Sequence, residues 1–519
     1  MKKQNISETK NLIHSFSKIK LSLILQSILT GLFGGIIIVF YRFMLEIVTK
    51  YTFPLYEEAK EAPFKIIILF IVLAFLGYIV GLLVKMDPMI KGSGIPQVQG
   101  YLIGKFNMNW LRVIVLKFLG GIITLGAGLS LGREGPSVQI GSATGLGISK
   151  FFKNNKTQER FLVTCGSSGG LAAAFNSPLA GVMFALEEIH KSFSPLLLLS
   201  VMASAISADF ISKNFFGMTP VLDFSISNII PLNNYFYLIL LGVVLGCLGV
   251  LFNKSILSFM NKYDKLFNIP IEFKPIIPFL FCGIIGLTIP ELLGGGHSLI
   301  ISLMNNSFTL GFLFLLLIIK FLFTIVSYSS STPGGIFLPL LSIGSITGCI
   351  LGIIFTNFLG LDPKFTHNLV LLSMAGYFTS VVKSPITGII LISEMTGSFN
   401  HLLSLSVVCI TSYIISDLLN GEPVYEMLLN NMLSKNEDSD LGNGEKVLLE
   451  IPVRLGSSMD NYLIKDLSIP KEALLVSINR KGKEIIPNGT TELIPGDFMV
   501  VLTEDYHVPK IMDYFNKKS

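Results

Sequence analysis

Long uncharged stretches dominate the pattern of this chain, and their lengths set its class. Residues 21–41 and 66–84 carry no charged side chain. At about 1.5 Å rise per residue, each is long enough as a helix to cross roughly 30 Å of hydrocarbon, so the pattern predicts a spanning helix at each. Residues 321–361 are also uncharged, but they contain Pro333, Gly334, Gly335 and Pro339, which interrupt a helix. Broken backbone at membrane depth is tolerated only where protein or a watery cavity surrounds it. That stretch is therefore the first pointer to a transport site. Near Ser434 the pattern changes: a polar linker over 433–444 gives way to short β-branched runs separated by Gly, Pro and Asn turns. The expectation is a small strand-rich soluble domain over 445–519.

The membrane part repeats itself. SPLAGVMFALE (177–187) echoes SPITGIILISE (384–394) at an offset of 207 residues, and IGSATG (140–145) echoes IGSITG (343–348) at an offset of 203. Two echoes in the same order at nearly one offset imply an internal duplication, with halves of roughly 21–225 and 230–432. Transporters built from such repeats place the substrate near the midplane, where interrupted helices of the two halves meet. The duplication aligns Gly132-Arg133-Glu134-Gly135-Pro136 with Gly335-Ile336-Phe337-Leu338-Pro339.

Composition narrows the reading. With 51% hydrophobic and 14% charged residues, 519 residues carry more apolar surface than a soluble core buries. The net charge of +5 reflects flanking lysines and gives nucleic-acid binding no support. Five lysines within the first twenty residues, with no cleavage site after a short apolar core, are not a removable signal. The positive-inside rule makes residues 1–20 a cytoplasmic segment. Cys165, Cys247, Cys282, Cys349 and Cys409 stand singly without metal-ligand spacing and read as small buried side chains. No metal and no cofactor is called for.

Three Gly- and Pro-bounded loops carry the chemistry: GSGIP (92–96), GREGP (132–136) and GGIFLP (334–339). Glycines let backbone amides face a ligand, and a helix N-terminus adds partial positive charge, so such loops bind anions without a full cation. Partial dipoles also let the anion leave. Glu134 lies inside one loop between apolar runs, where a carboxylate is costly enough to be a functional candidate. It can occupy an anion site itself and vacate it on protonation, which makes it a gate and a proton acceptor. The bland alternative is a carboxylate paired with Arg133. Glu187 matches Glu394 in the second half and reads as structural, whereas Glu188 matches Met395 and has no counterpart. His190 and His297 read as surface or polar-loop residues.

These three motifs, in this order, followed by Tyr425 in GEPVYEMLL, resemble the signatures of the CLC family of chloride channels and proton-coupled chloride exchangers over about residues 21–432. The resemblance implies an all-α multi-pass fold of two inverted repeats with broken, tilted helices, and a homodimer with an anion pathway in each protomer. It implies a central anion held by the Ser93 and Tyr425 hydroxyls and by the amides of Ile336 and Phe337, with Glu134 as external gate. Glu188 corresponds to the internal proton-transfer glutamate of exchangers, so H⁺/Cl⁻ antiport is expected, in the inner (plasma) membrane with both termini cytoplasmic. Ser93 and Tyr425 point to chloride. Gln97 and Leu338 depart from residues common in relatives. Residues 445–515 are similar to the RCK-C (TrkA-C) module, a small α+β domain that dimerises and in some families binds cyclic dinucleotides, which makes a small nucleotide effector a hypothesis here. A passive, voltage- or ligand-regulated chloride channel and a fluoride/proton exchanger are the alternatives, opposed by Glu188 and by Ser93 with Tyr425. A receptor leaves Glu134 unexplained, and a potassium-transport accessory lacks any TVGYG-like filter. No catalytic residue is assigned.

Overall fold

The computed structural model describes residues 2–222, 229–266, 270–306, 308–437, 446–453, 457, 459–480, 483–504, 507–508, 511 and 514–515. Its contacts divide the chain into Met1–Asn430 and Asn431–Ser519.

The apolar runs of the first unit become helices whose order repeats. The first eight are α1 (Lys2–Ala59), α2 (Pro63–Met86), α3 (Ile95–Leu102), α4 (Trp110–Gly126), α5 (Glu134–Phe151), α6 (Lys156–Phe175), α7 (Pro178–Phe184) and α8 (Pro195–Phe216). The next eight answer them one for one: α9 (Tyr235–Leu266), α10 (Ile276–Thr288), α11 (His297–Asn305), α12 (Leu310–Ser329), α13 (Phe337–Leu359), α14 (Thr366–Val382), α15 (Pro385–Thr396) and α16 (Leu402–Leu418). A further helix, α17 (Val424–Glu437), follows the second set. Among the described residues, seven helices are long and apolar enough to cross a membrane. The chain is a multi-pass membrane protein.

Short helices and buried ones alternate with the spans because prolines and glycines cut the apolar runs where backbone must turn inward. Gly94 ahead of α3 and Gly296 ahead of α11 both take positive φ, 86° and 102°, a backbone that glycine adopts without penalty. In the bilayer no hydrophobic drive joins helices, so close packing over small residues does the work. A Cβ on Gly141 of α5 would strike the Gly166 carbonyl of α6, and one on Gly166 would strike that of Gly141. The second repeat copies this: a Cβ on Gly344 of α13 would lie 2.7 Å from the Ser373 carbonyl of α14. Both pairs seal the centre of their repeat; the N-terminal half of α5 is buried throughout, and that of α13 is buried except at Leu338.

In the second unit, β1 (Lys446–Pro452), β2 (Ala473–Arg480), β3 (Lys483–Ile485) and β4 (Phe498–Glu504) form one antiparallel sheet in the order β1-β4-β2-β3. Alternation along β4 buries Met499 and Val501 against Ile451, Ile478 and Leu493, as a half-covered strand requires. The Pro495-Gly496-Asp497 turn ahead of β4 takes φ +91° at Gly496. Asp497 closes it: its carboxylate accepts from the Ile494 amide at 3.0 Å and from Arg480 Nε and Nη2, each at 2.8 Å. Burial alone would raise the Asp497 carboxyl, but the Arg480 guanidinium and the Ile494 amide hold it below its usual value. A carboxyl depressed on folding contributes stability above the unfolded aspartate pKa, near 3.9, and loses it as pH falls through the folded value. The protection factors of the β2 and β4 amides should therefore stay high above about pH 4 and fall below it. In Asp497→Asn the protection should drop at neutral pH and lose most of this acid step.

Three expectations are adjusted. The first predicted span sits inside a much longer helix, α1, because no breaker separates residues 2–20 from the apolar run. The linker foreseen over 433–444 begins later: α17 carries on to Glu437, anchored by buried Val424, Tyr425, Leu428 and Leu429, and residues 438–444 lie outside the described ones. Cys247 is exposed on α9 rather than buried, since it faces away from α14 and α16.

Candidate functional site

The three glycine loops come together. Gly132 and Gly335, equivalent at an offset of 203, form an isolated antiparallel bridge: the Gly132 amide donates to the Gly335 carbonyl at 2.6 Å and the reverse bond is 2.8 Å. The Gly334 amide donates to the Gly92 carbonyl at 2.9 Å. Glycine is needed for this approach. A Cβ on Gly335 would lie 2.9 Å from the Gly135 amide nitrogen, and one on Gly135 would lie 2.8 Å from Ser93 Cβ. Two fully buried lysines hold equivalent backbone of the two repeats, ahead of α3 and ahead of α11. Lys117 Nζ donates to the carbonyls of Ile90 and Gly92 at 2.8 and 2.6 Å, and its repeat partner Lys320 donates to Leu292 and Gly294 at 2.9 and 2.7 Å.

Each residue predicted for the anion and its gate sits at the start of a helix or just ahead of one. Glu134 is the first residue of α5, Ile336 and Phe337 begin α13, Ser93 precedes α3 by two residues and Tyr425 is the second residue of α17. First-turn amides have no partner within a helix and carry the positive end of its dipole. Ser93 Oγ lies 3.3 Å from Tyr328 Oη and accepts from the Ile95 amide at 3.3 Å. The Phe337 ring packs on Phe378, Phe175 and Phe184, and Phe184 in turn meets Tyr425 edge-on. Aromatic surface thus excludes water around a few hydroxyls and amides.

Two members of this group have no side-chain partner. The Tyr425 hydroxyl is buried and unbonded, and the buried Glu134 carboxylate meets only the backbone amides of Glu134 and Leu338. Buried polar atoms in folded proteins are nearly always bonded, and an orphan costs on the order of 1–3 kcal/mol, more if charged. An acceptor on one loop and a donor at the start of α17 are suited to a proton and an anion. Glu134 is not paired with Arg133, whose Nη1 lies 4.0 Å from Glu46 Oε1. Instead Glu134 faces a cavity of about 460 Å³ that Arg42, Arg133, Asn176 and His297 also line. His297, expected in a plain polar loop, belongs to this cavity.

Glu187 and Glu188, adjacent in one π-helical turn (Ala185–His190), take different duties. Glu187 accepts from the amides of Ile386 and Thr387 at 3.3 and 2.8 Å and from Thr387 Oγ1 at 2.7 Å, capping α15. Glu394 caps α7 in return through the amides of Leu179 and Ala180, at 3.1 and 2.8 Å. Both contacts obey the offset of 207, so the pair is a reciprocal clasp between the repeats. Replacing Glu394 by Ala should cost about 0.5–2 kcal/mol, the range for a lost helix cap, read as earlier thermal unfolding of the purified protein. Glu188 turns inward, where Gln99 Nε2 donates to its Oε1 at 2.9 Å and Ser384 Oγ to its Oε2 at 3.1 Å.

Sequence reasoning passed over Tyr328, Gln99, Lys117 and Lys320. For the lysines a signal existed: two charges inside apolar runs, 203 residues apart, as the other repeat pairs are. For Tyr328 and Gln99 there was none, since only the folded loops bring them to Ser93 and Glu188.

A family model described as voltage gated chloride channel matches residues 76–417, and one described as TrkA-C domain matches 448–516. The H⁺/Cl⁻ exchange transporter ClcA of Vibrio cholerae serotype O1 is 33% identical over 443 residues, covering 82% of this chain and 94% of that protein. The crystal structure of a slow cyanobacterial Cl⁻/H⁺ antiporter superposes with a TM-score of 0.74 at 28% identity, covering 80% of this chain and 99% of that one. A CLC-type fluoride/proton antiporter superposes with a TM-score of 0.67 over 78% of this chain and 97% of that one; at 23% identity it speaks for the fold alone.

Proposed function

This chain belongs to the voltage-gated chloride channel family, and we propose that within it the chain is an H⁺/Cl⁻ exchanger gated by Glu134. The observation that carries the proposal is the state of the Glu134 carboxylate: buried, without a side-chain partner, at the bridge between the two repeats and lining the cavity of about 460 Å³, which we take as the outer one. In the proposed cycle a dehydrated chloride rests against the hydroxyls of Ser93 and Tyr425 and the amides of Ile336 and Phe337. Those donors replace its water without a full cation, so it binds and still leaves. Ionised Glu134 competes for the same amides and blocks the outer exit. Protonated, it gives up that place, and the anion passes.

Coupling requires that the proton on Glu134 reach the other side by a route of its own. Glu188 is buried, bonded by Gln99 and Ser384, does not line the outer cavity and has no equivalent in the second repeat, as expected of a group that serves one pathway. We assign it the internal transfer of protons. Ser93 with Tyr425 supports chloride as the anion, and the named activities of ClcA and of the cyanobacterial antiporter support exchange. The proposal includes a homodimer with one pathway per protomer.

The test is a flux measurement in liposomes. A chloride gradient imposed across the membrane, with no initial pH difference, should drive protons in the direction opposite to chloride and build a pH gradient that a proton uncoupler collapses. Chloride movement without any such gradient would return the reading to a passive channel of the same fold.

A further inference from the structure

One face of α9 changes character along its length. Residues 235–253 carry no charged side chain, and at 1.5 Å per residue they rise about 28 Å, close to the roughly 30 Å of hydrocarbon that a span crosses. Phe236, Ile239, Cys247 and Leu251 are exposed on this stretch, as side chains that meet acyl chains are. Beyond Asn253 the same face turns polar. Lys254, Ser258 and Lys262, at steps of four, are all exposed, and with Ser255 and Phe259 they line a shallow depression of about 410 Å³. The polar group therefore begins where hydrocarbon gives way to headgroups.

No protein group engages this set. Among the described residues, Lys254 and Lys262 have no carboxylate partner, and the hydroxyls of Ser255 and Ser258 make no hydrogen bond. Lysines elsewhere in the first unit are treated differently: Lys85, Lys213 and Lys383 each hold a carboxylate, of Glu272, Asp209 and Asp417. Helical serines differ too. Ser207 and Ser406 each give their hydroxyl to the carbonyl four residues back, at 2.7 and 2.8 Å, the usual local outlet for a serine inside a helix. On α9 two cations and two hydroxyls share one depression with nothing to bind.

We propose that this depression binds the phosphate of an anionic phospholipid whose acyl chains lie along the apolar part of the same face. The ammonium groups supply the charge, and the hydroxyls donate to the phosphodiester oxygens. Eight residues place the Lys254 and Lys262 Cα atoms about 12 Å apart along the helix, and the flexible stem of each lysine lets its head settle at headgroup level. The depression is lined by no carboxylate. A zwitterionic headgroup brings its own cation against the two lysines, so a lipid of net negative charge is favoured. The apolar stripe that runs into the depression argues for a lipid over a free phosphate. Because α9 answers α1 in an inverted repeat, its C-terminal end lies on the side where the apolar run of α1 begins. That side is the one expected to be cytoplasmic, where the leaflet carries a negative surface potential.

The experiment titrates purified full-length protein in neutral detergent with phosphatidylglycerol and counts the bound lipid by native mass spectrometry. A basic residue at a membrane surface contributes about fivefold in affinity for anionic lipid, the equivalent of about 1 kcal/mol. Replacing both lysines, as Lys254→Gln with Lys262→Gln, should therefore weaken phosphatidylglycerol binding by roughly twenty-five-fold. Lys254→Arg with Lys262→Arg should keep it, and Lys50→Gln, at an exposed lysine of α1, should leave it unchanged. Phosphatidylcholine should bind weakly to every variant. Wild-type binding by the double glutamine variant, an equal loss in Lys50→Gln, or phosphatidylcholine held as tightly as phosphatidylglycerol would each overturn the site. Glycerol phosphate held as tightly as the lipid would overturn the choice of occupant, since it has no acyl chains.

Discussion

Glu134→Gln should pass chloride and carry no protons. The amide cannot ionise, so it neither competes as an anion for the amides of Ile336 and Phe337 nor takes up a proton from the outer cavity. Chloride flux should then become independent of external pH, while proton flux falls to the leak of protein-free liposomes, a loss of at least about a hundredfold for removing a proton-transfer group. The buried position makes the substitution clean. No side chain bonds the Glu134 oxygens in the folded protein, and an amide of the same shape keeps an acceptor oxygen for the nearby amides of Glu134 and Leu338, so the fold should survive. Glu134→Ala should act in the same direction with faster chloride flux, since it also empties the volume beside Gly132.

Glu188→Gln should also abolish proton movement, by a similar factor, but by a different route. The gate is intact in this variant, so chloride flux should still rise as external pH falls and Glu134 is protonated from the outer cavity. That remaining pH dependence separates the two substitutions, which are otherwise alike in their loss of coupling. Gln99 and Ser384 both donate to Glu188. An amide accepts through one atom only, so one of these donors loses its partner and a modest loss of stability should accompany the change. A variant of Glu188 with normal proton flux would remove it from the pathway.

Much of this architecture was legible because the chain writes it twice. The echoes at offsets 203 and 207 carried the duplication, and the fold repeats it helix by helix, down to the Gly132–Gly335 bridge and the exchanged caps of Glu187 and Glu394. The loops were legible because glycine and proline interrupt apolar runs for few reasons other than buried broken backbone. The contacts between distant elements were not. Lys117 and Lys320 stand in apolar helices, where their charge gives no hint of the carbonyls they clasp. Gln99 differs in no local way from Gln97, yet only Gln99 reaches Glu188, while Gln97 turns back to the Lys91 carbonyl at 2.7 Å. Helical phase set by tertiary packing decides between them, and one sequence does not report it.

The reversal potential of the wild-type protein in planar bilayers decides between exchange and passive conduction. With a fixed chloride gradient, exchange predicts a reversal potential short of the chloride equilibrium value, and one that shifts when only the pH gradient is changed. A reversal potential that stays at the chloride equilibrium value under every pH gradient would contradict proton coupling and leave Glu134 as the gate of a channel.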